Sequence, residues 1–301
     1  AIEPPKTEYE KFAAGFPYVE TEDQQRAIDD VIEDFKKGQA MDRLVCGDVG
    51  FGKTEVALRA AFVAAMAGYQ VAVVAPTTLL ARQHYQEFMR RFKGFPLRIV
   101  HLSRLVKASE AKRVREESAS GEANIIVGTH ALLGKSVKFN HLGLVIVDEE
   151  QRFGVKQKER LKELQQNVHV LTLTATPIPR TLQLSLTGVK DLSLMATPPI
   201  DRLAVRSFIM PRDPVILREA LMREHYRSGQ SFYVVPRIAD LADIETFLKE
   251  TVPELKVVTA HGQMDGIELE DRVAAFIDGK YDVLLATNII ESGIDIPNVN
   301  T

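Results

Sequence analysis

The sequence predicts an α/β chain with two parallel-sheet domains, and three observations carry that prediction. Short apolar runs alternate with longer helical patterns, the signature of strand–helix–strand units. Those runs lack polar–apolar alternation, as strands covered on both faces do. The pattern also breaks once, around Pro198-Pro199, and then restarts.

The first domain is predicted over residues 1–196. Its buried strands are expected at 43–46, 71–75, 97–101, 124–128, 144–147 and 170–174, with helices such as 54–67 and 79–92 between them. Residues 197–203 read as an extended connector, because proline restricts both itself and the residue before it. The second domain is predicted over 204–301, with strands at 204–210, 231–235, 256–260 and 282–287. A length of 301 residues suits two such domains. No low-complexity tract and no short-period repeat interrupts them.

Composition narrows the function classes. Hydrophobic residues make up 45% and charged residues 26%, an ordinary globular balance. No apolar run is long enough to span a membrane, and the opening AIEPPKTEYEKF has neither a basic nor an apolar leader segment. Cys46 is the sole cysteine, so no internal disulfide or cysteine-based zinc site can form. That suits a reducing, cytoplasmic setting, with Cys46 as a small buried hydrophobe. The net charge of −3 excludes a globally basic field, so any nucleic-acid contact must be a local stripe.

The strongest motif is Gly47-Asp48-Val49-Gly50-Phe51-Gly52-Lys53-Thr54, which matches G-x-x-x-x-G-K-[ST] in full. It follows a predicted strand and opens a predicted helix, the context a phosphate-binding loop requires. Glycines let backbone N–H groups point inward at phosphate, and the new helix adds its N-terminal dipole. Lys53 can set a point charge on the β- and γ-phosphates of ATP, and the Thr54 hydroxyl can ligate Mg²⁺. A second motif, Leu144 to Glu150, is an apolar strand ending in three acids. Carboxylates at the carboxyl end of a parallel strand lie where such sheets bind ligands. Asp148 can hold Mg²⁺, and Glu149 can polarise the attacking water. Together the two motifs predict nucleotide hydrolysis, with Lys53, Asp148 and Glu149 catalytic.

Asp148-Glu149-Glu150-Gln151 resembles the DExx box of superfamily 2 helicases and translocases, and further motifs of that superfamily follow in order. Phe16 to Gln24 resembles the adenine-reading Q motif, with Phe16 and Gln24 as contacts. Pro76 to Leu80 resembles motif Ia, Gly128-Thr129-His130 the next strand-contacting motif, and Thr174 to Pro177 motif III. Ala260 to Met264 and Thr287 to Pro297 resemble the later motifs, which adds Gly293 and Asp295 to the nucleotide contacts. The resemblance implies two RecA-like P-loop NTPase domains closing on ATP. DEEQRFGVKQKE, TATPIPRTL, MDRLVCGDVGFGKTE and AHGQM narrow it to the transcription-repair coupling factor family. RecG-like branched-DNA helicases share RFGV and TATPIPRTL, and differ at Phe51, Glu150 and Gln151.

That family implies a motor on double-stranded DNA that displaces stalled RNA polymerase. Its polymerase and excision-repair partners bind through domains outside this chain. Phosphate contacts are expected from Thr77, Thr78, Thr129 and His130 in domain one, and from His261 and Thr287 in domain two. A threonine at a strand end is as often a cap or turn residue. Gln83 and His84 fall on a helix and read as solvent-facing. Arg152, Lys156, Lys158, Arg160 and Lys162 form a basic run diluted by Glu159 and Glu163, read equally well as a solvated face. Arg180 has no assigned role. Asn288 stands where the family usually has threonine. Motif VI, whose arginines cap the γ-phosphate, would follow Thr301, so domain two is expected to be incomplete, the less stable lobe, and hydrolysis by residues 1–301 weak.

Overall fold

The structure, a computed structural model, describes residues 1–176, 190–199, 203–288 and 296–301. The chain divides into two compact units, 1–202 and 203–301, and each carries a wholly parallel sheet. Both are RecA-like α/β folds.

The first unit opens with α1 (Lys6–Ala14) and α2 (Glu22–Lys36). Then come β1 (Asp42–Gly47), α3 (Lys53–Met66), β2 (Gln70–Ala75), α4 (Thr78–Arg91), β3 (Ile99–Leu102) and α5 (Ala108–Ser120). β4 (Ile125–Thr129), β5 (Leu142–Asp148), α6 (Val155–Gln165), β6 (His169–Thr174) and β7 (Asp191–Met195) follow. The strands order as β3-β4-β2-β5-β6-β1-β7. β2 is buried along its whole length, and β5 and β6 nearly so, which explains their unbroken apolar sequences. Helix α3 is buried from Glu55 to Ala65, and its two charged side chains there, Glu55 and Arg59, pair with each other at 2.8 Å. A helix buried on every face must be covered on both sides. Here α1 lies against it, with Phe12 stacked on Phe62 at 4.4 Å between ring centroids.

Strand β7 has no counterpart in the sequence prediction. Its burial alternates, as on a sheet edge, and its central residue is polar. Ser193 is buried because its hydroxyl donates to Asp30 (2.7 Å) and accepts from Arg43 (3.0 Å), so the strand carries no continuous apolar run.

The second unit contains α7 (Pro214–Tyr226), β8 (Ser231–Val234), α8 (Leu241–Thr251), β9 (Val257–Ala260), α9 (Gly266–Ile277) and β10 (Val283–Ala286). Its sheet runs β8-β10-β9. The strand predicted at 204–210 is not formed. Residues 203–210 are exposed, and no strand pairs with them among the described residues. Their apolar side chains satisfy strand propensity, but a strand is stable only beside a neighbour.

Candidate functional site

β1 ends at Gly47 and α3 begins at Lys53, so the loop between them starts at the carboxyl edge of the sheet. Gly50 and Gly52 have φ of +80° and +89°, a region that L side chains avoid. At Gly52 a Cβ would also strike the amide of Gln24. That amide donates from Nε2 to the Phe51 carbonyl (2.8 Å) and accepts at Oε1 from the Thr21 N–H (2.9 Å). Thr21 in turn accepts from the Gln24 N–H (3.2 Å), closing a capping box on α2. The glutamine expected at adenine is therefore buried, and its side chain braces the loop. Phe16 is half-buried, edge-on to Tyr18 (5.6 Å) and under the Arg91 guanidinium (5.9 Å).

Lys53 folds back over the loop. Its ammonium donates to the carbonyls of Gly47 (2.5 Å) and Asp48 (3.1 Å). Burial pushes it below the usual lysine range, against the opposing pull of Asp148 and Glu149. A desolvated ammonium aimed at the mouth of a glycine loop fits a phosphate, which would supply the counter-charge that carbonyls only approximate.

Strand register brings the acids to the same edge. Asp148 lies opposite Leu173, and Cys46 opposite Thr174, so the ends of β5, β6 and β1 stand side by side. Glu149 holds a left-handed backbone (φ 51°, ψ 55°), which costs a non-glycine residue about 1–2 kcal/mol. The turn aims its buried carboxylate back at the end of β6. One oxygen accepts from the Ala175 N–H (2.9 Å), the other from the Thr174 hydroxyl (3.3 Å) and from the Gln151 amide. Asp148 accepts at Oδ2 from His84 Nε2 (2.7 Å).

His84 corrects the solvent-facing reading: its side chain is only 12% exposed. The signal was present in the sequence, since Leu80, His84 and Phe88 recur at four-residue spacing and Leu80 and Phe88 are buried. Gln151 and Thr174, which hold Glu149, were visible as members of the DExx box and motif III but had no role assigned to them.

The expected DNA contacts fall at strand ends on the same edge of their own units. Thr77 caps α4, its hydroxyl accepting from the Leu80 N–H (3.3 Å), and Thr78 is buried. Thr129 ends β4, and His130 is exposed beside it. In the second unit His261 and Thr287 follow β9 and β10 directly. The basic run lies on and just before α6, where Lys156, Lys158, Arg160 and Lys162 are exposed and Arg160 pairs with Glu163 (2.8 Å). Gly293, Asp295, Pro177 and Arg180 lie outside the described residues. Among the described residues no three His, Cys, Asp or Glu side chains could hold a metal by themselves. A divalent ion at Thr54 and Asp148 would be shared with phosphate oxygens, as Mg²⁺ commonly is.

Three comparisons place this geometry. Residues 21–185 match the DEAD/DEAH box helicase family, and residues 214–301 the helicase conserved C-terminal domain. The chain is 58% identical over 298 residues to a transcription-repair-coupling factor of Rickettsia typhi, covering 98% of this chain and 27% of that protein. It is 52% identical to the one from Myxococcus xanthus, covering 100% of this chain and 25% of that protein. The chain thus spans about a quarter of the length of these curated relatives. A solved structure of RecG bound to a three-way DNA junction superposes with a TM-score of 0.83 at 33% identity, over 99% of this chain and 40% of that one.

Proposed function

The chain belongs to the DEAD/DEAH box helicase family, and from that premise we propose that it is the ATP-driven double-stranded DNA translocase core of a transcription-repair coupling factor. In this reading the larger protein uses the motor to displace stalled RNA polymerase, and reaches excision-repair proteins through its other parts. The observation that carries the reading is one edge of one sheet. The loop 47–54, with its desolvated Lys53, stands there beside Asp148 and a Glu149 held by the Thr174-Ala175 strand end.

In this reading Lys53 and the loop N–H groups bind the β- and γ-phosphates. Thr54 and Asp148 hold Mg²⁺, which when bound draws charge from the transferring phosphoryl group. Glu149 orients the attacking water once it leaves Ala175 and Thr174. That exchange links hydrolysis to the strand carrying motif III. Thr77, Thr78, Thr129 and His130, with His261 and Thr287 from the second unit, contact DNA phosphates without reading sequence. Gly293 and Asp295 add contacts to ATP from the second unit. Turnover by residues 1–301 alone is slow for want of the γ-phosphate arginines that the resemblance places in motif VI.

RecG supports a second reading, a branched-DNA helicase, through its TM-score of 0.83 over nearly the whole chain. Steady-state ATP hydrolysis on linear duplex and on a three-way junction separates the two, measured on this chain and on one extended to its relatives' length. Stimulation by linear duplex in the extended chain supports the translocase. Junction-only stimulation favours the helicase, and stimulation by neither DNA overturns both.

A further inference from the structure

We infer that His84 is a positioning residue for the Mg²⁺ carboxylate, tying Asp148 to the helix that opens at Thr77. The inference rests on the nucleotide-site reading above and names a contact which that reading does not use.

The geometry is specific. His84 projects from α4 with its ring 12% exposed, and Nε2 donates to Asp148 Oδ2 at 2.7 Å. A carboxylate has two oxygens, and this bond commits one of them, leaving Oδ1 for an ion. It also fixes the rotation of the carboxyl plane, which decides where a ligating lone pair points. Partners of this kind behind metal ligands typically contribute ~10–100-fold in metal affinity or activity.

Its support is anchored. Leu80 and Phe88 flank His84 at four-residue spacing and are buried, so the helix backbone that carries the ring is held against the core. Thr77, roughly two turns away, caps the same helix through its hydroxyl. A phosphate drawing on that hydroxyl or on the first N–H groups of α4 would act on the element that carries the imidazole. His84 is therefore where a strand-contacting helix end meets the metal carboxylate through one hydrogen bond.

The test is the Mg²⁺ concentration giving half-maximal binding of a fluorescent ATP analogue to the 301-residue chain, for wild type, His84→Ala, His84→Gln, Asp148→Asn and the His84→Ala/Asp148→Asn double variant. His84→Ala is expected to raise that concentration about tenfold, leave Mg²⁺-free binding unchanged, and be partly rescued by His84→Gln, whose amide reaches as far as Nε2 and can still donate. In the Asp148→Asn background His84→Ala should add nothing, because the histidine acts through the carboxylate. An unchanged Mg²⁺ requirement in His84→Ala, or full additivity with Asp148→Asn, would overturn the inference. If wild-type binding ignores Mg²⁺, or Asp148→Asn leaves its Mg²⁺ requirement unaltered, the underlying site assignment fails, and the His84 role with it. Thermal unfolding at the wild-type temperature shows that the variants are folded.

Discussion

The two units share one frame and differ in what is built beside it. In the first unit Gln70 opens β2, and its N–H donates to the His141 carbonyl (2.7 Å). Its side chain spans two turns, Nε2 donating to the Ser118 and Ala123 carbonyls (2.9 Å each). In the second unit Gln230 precedes β8 and repeats this, donating from N–H to Asn298 (2.6 Å) and from Nε2 to Phe276 (2.6 Å) and Tyr281 (2.7 Å). The neighbouring strands match as well. Asn124 Oδ1 accepts from the Arg98 N–H, as Asp282 Oδ2 accepts from that of Lys256. Thr129 and Thr287 thereby occupy equivalent strand ends.

The difference lies on the far side of the glutamine strand. In the first unit β5, β6, β1 and β7 continue the sheet, and these strands bear the glycine loop and the acids. The shared frame supplies only threonines and backbone at strand ends. In the proposed reading, the first unit's phosphate loop and catalytic acids sit on the added strands. The glutamines differ too. Gln70 Oε1 accepts from the Asn140 and His141 N–H groups, whereas Gln230 Oε1 is buried with no partner among the described residues. Pro297 stands where Asn140 does and has no N–H to give.

The largest expected effect follows from that division. Glu149→Gln should lower turnover by about 10²–10⁴-fold while ATP still binds, whereas Thr287→Val should leave ATP binding intact and weaken DNA stimulation. A loss of ATP affinity in Thr287→Val, measured by equilibrium binding, would break the division. Next, Gln70→Leu strands two N–H groups that Gln230→Leu does not. It should cost about 1–3 kcal/mol more in denaturant unfolding. Equal costs would show that the orphaned oxygen of Gln230 is not the difference between the units. Gly52→Ala, forced to φ +89°, should cost about 1–2 kcal/mol and weaken ATP binding, whereas Gly279→Ala, at φ +81° in the second unit, should cost stability alone.

The smallest effect is a pH dependence that one buried ion pair of the first unit contributes. Burial raises the Asp34 carboxyl, but hydrogen bonds from Arg43 and Lys37 win and hold it below its ordinary 3.8. The folded value is the lower one, so the pair's stabilisation is fully present above pH 3.8 and fades as pH falls through the folded value. Asp34→Asn should remove that acid-side dependence in a melting series, and an unchanged series would count against the pair.

Most of this frame was legible in the sequence where one residue type has one use. Unbroken apolar runs gave β2, β4, β5 and β6, and Gly-Lys-Thr gave the loop. β7 was missed because Ser193 is buried by a hydrogen-bond network formed with Asp30 and Arg43, distant in sequence. Residues 204–210 were misread because strand propensity does not reveal a missing neighbour. His84 was misread because its partner, Asp148, is 64 residues away. The repeated glutamines escaped notice because the repeat is one of hydrogen bonds, with almost no shared side chains.

The most direct test of the account is ATP binding and hydrolysis by wild type, Lys53→Ala and Glu149→Gln under identical Mg²⁺. The account predicts that Lys53→Ala loses binding by about 10–100-fold, as expected for a charge-assisted contact. Glu149→Gln should bind like wild type and turn over poorly. ATP binding unaffected by Lys53→Ala, or turnover unaffected by Glu149→Gln, would contradict the placement of the motor's nucleotide site on this edge.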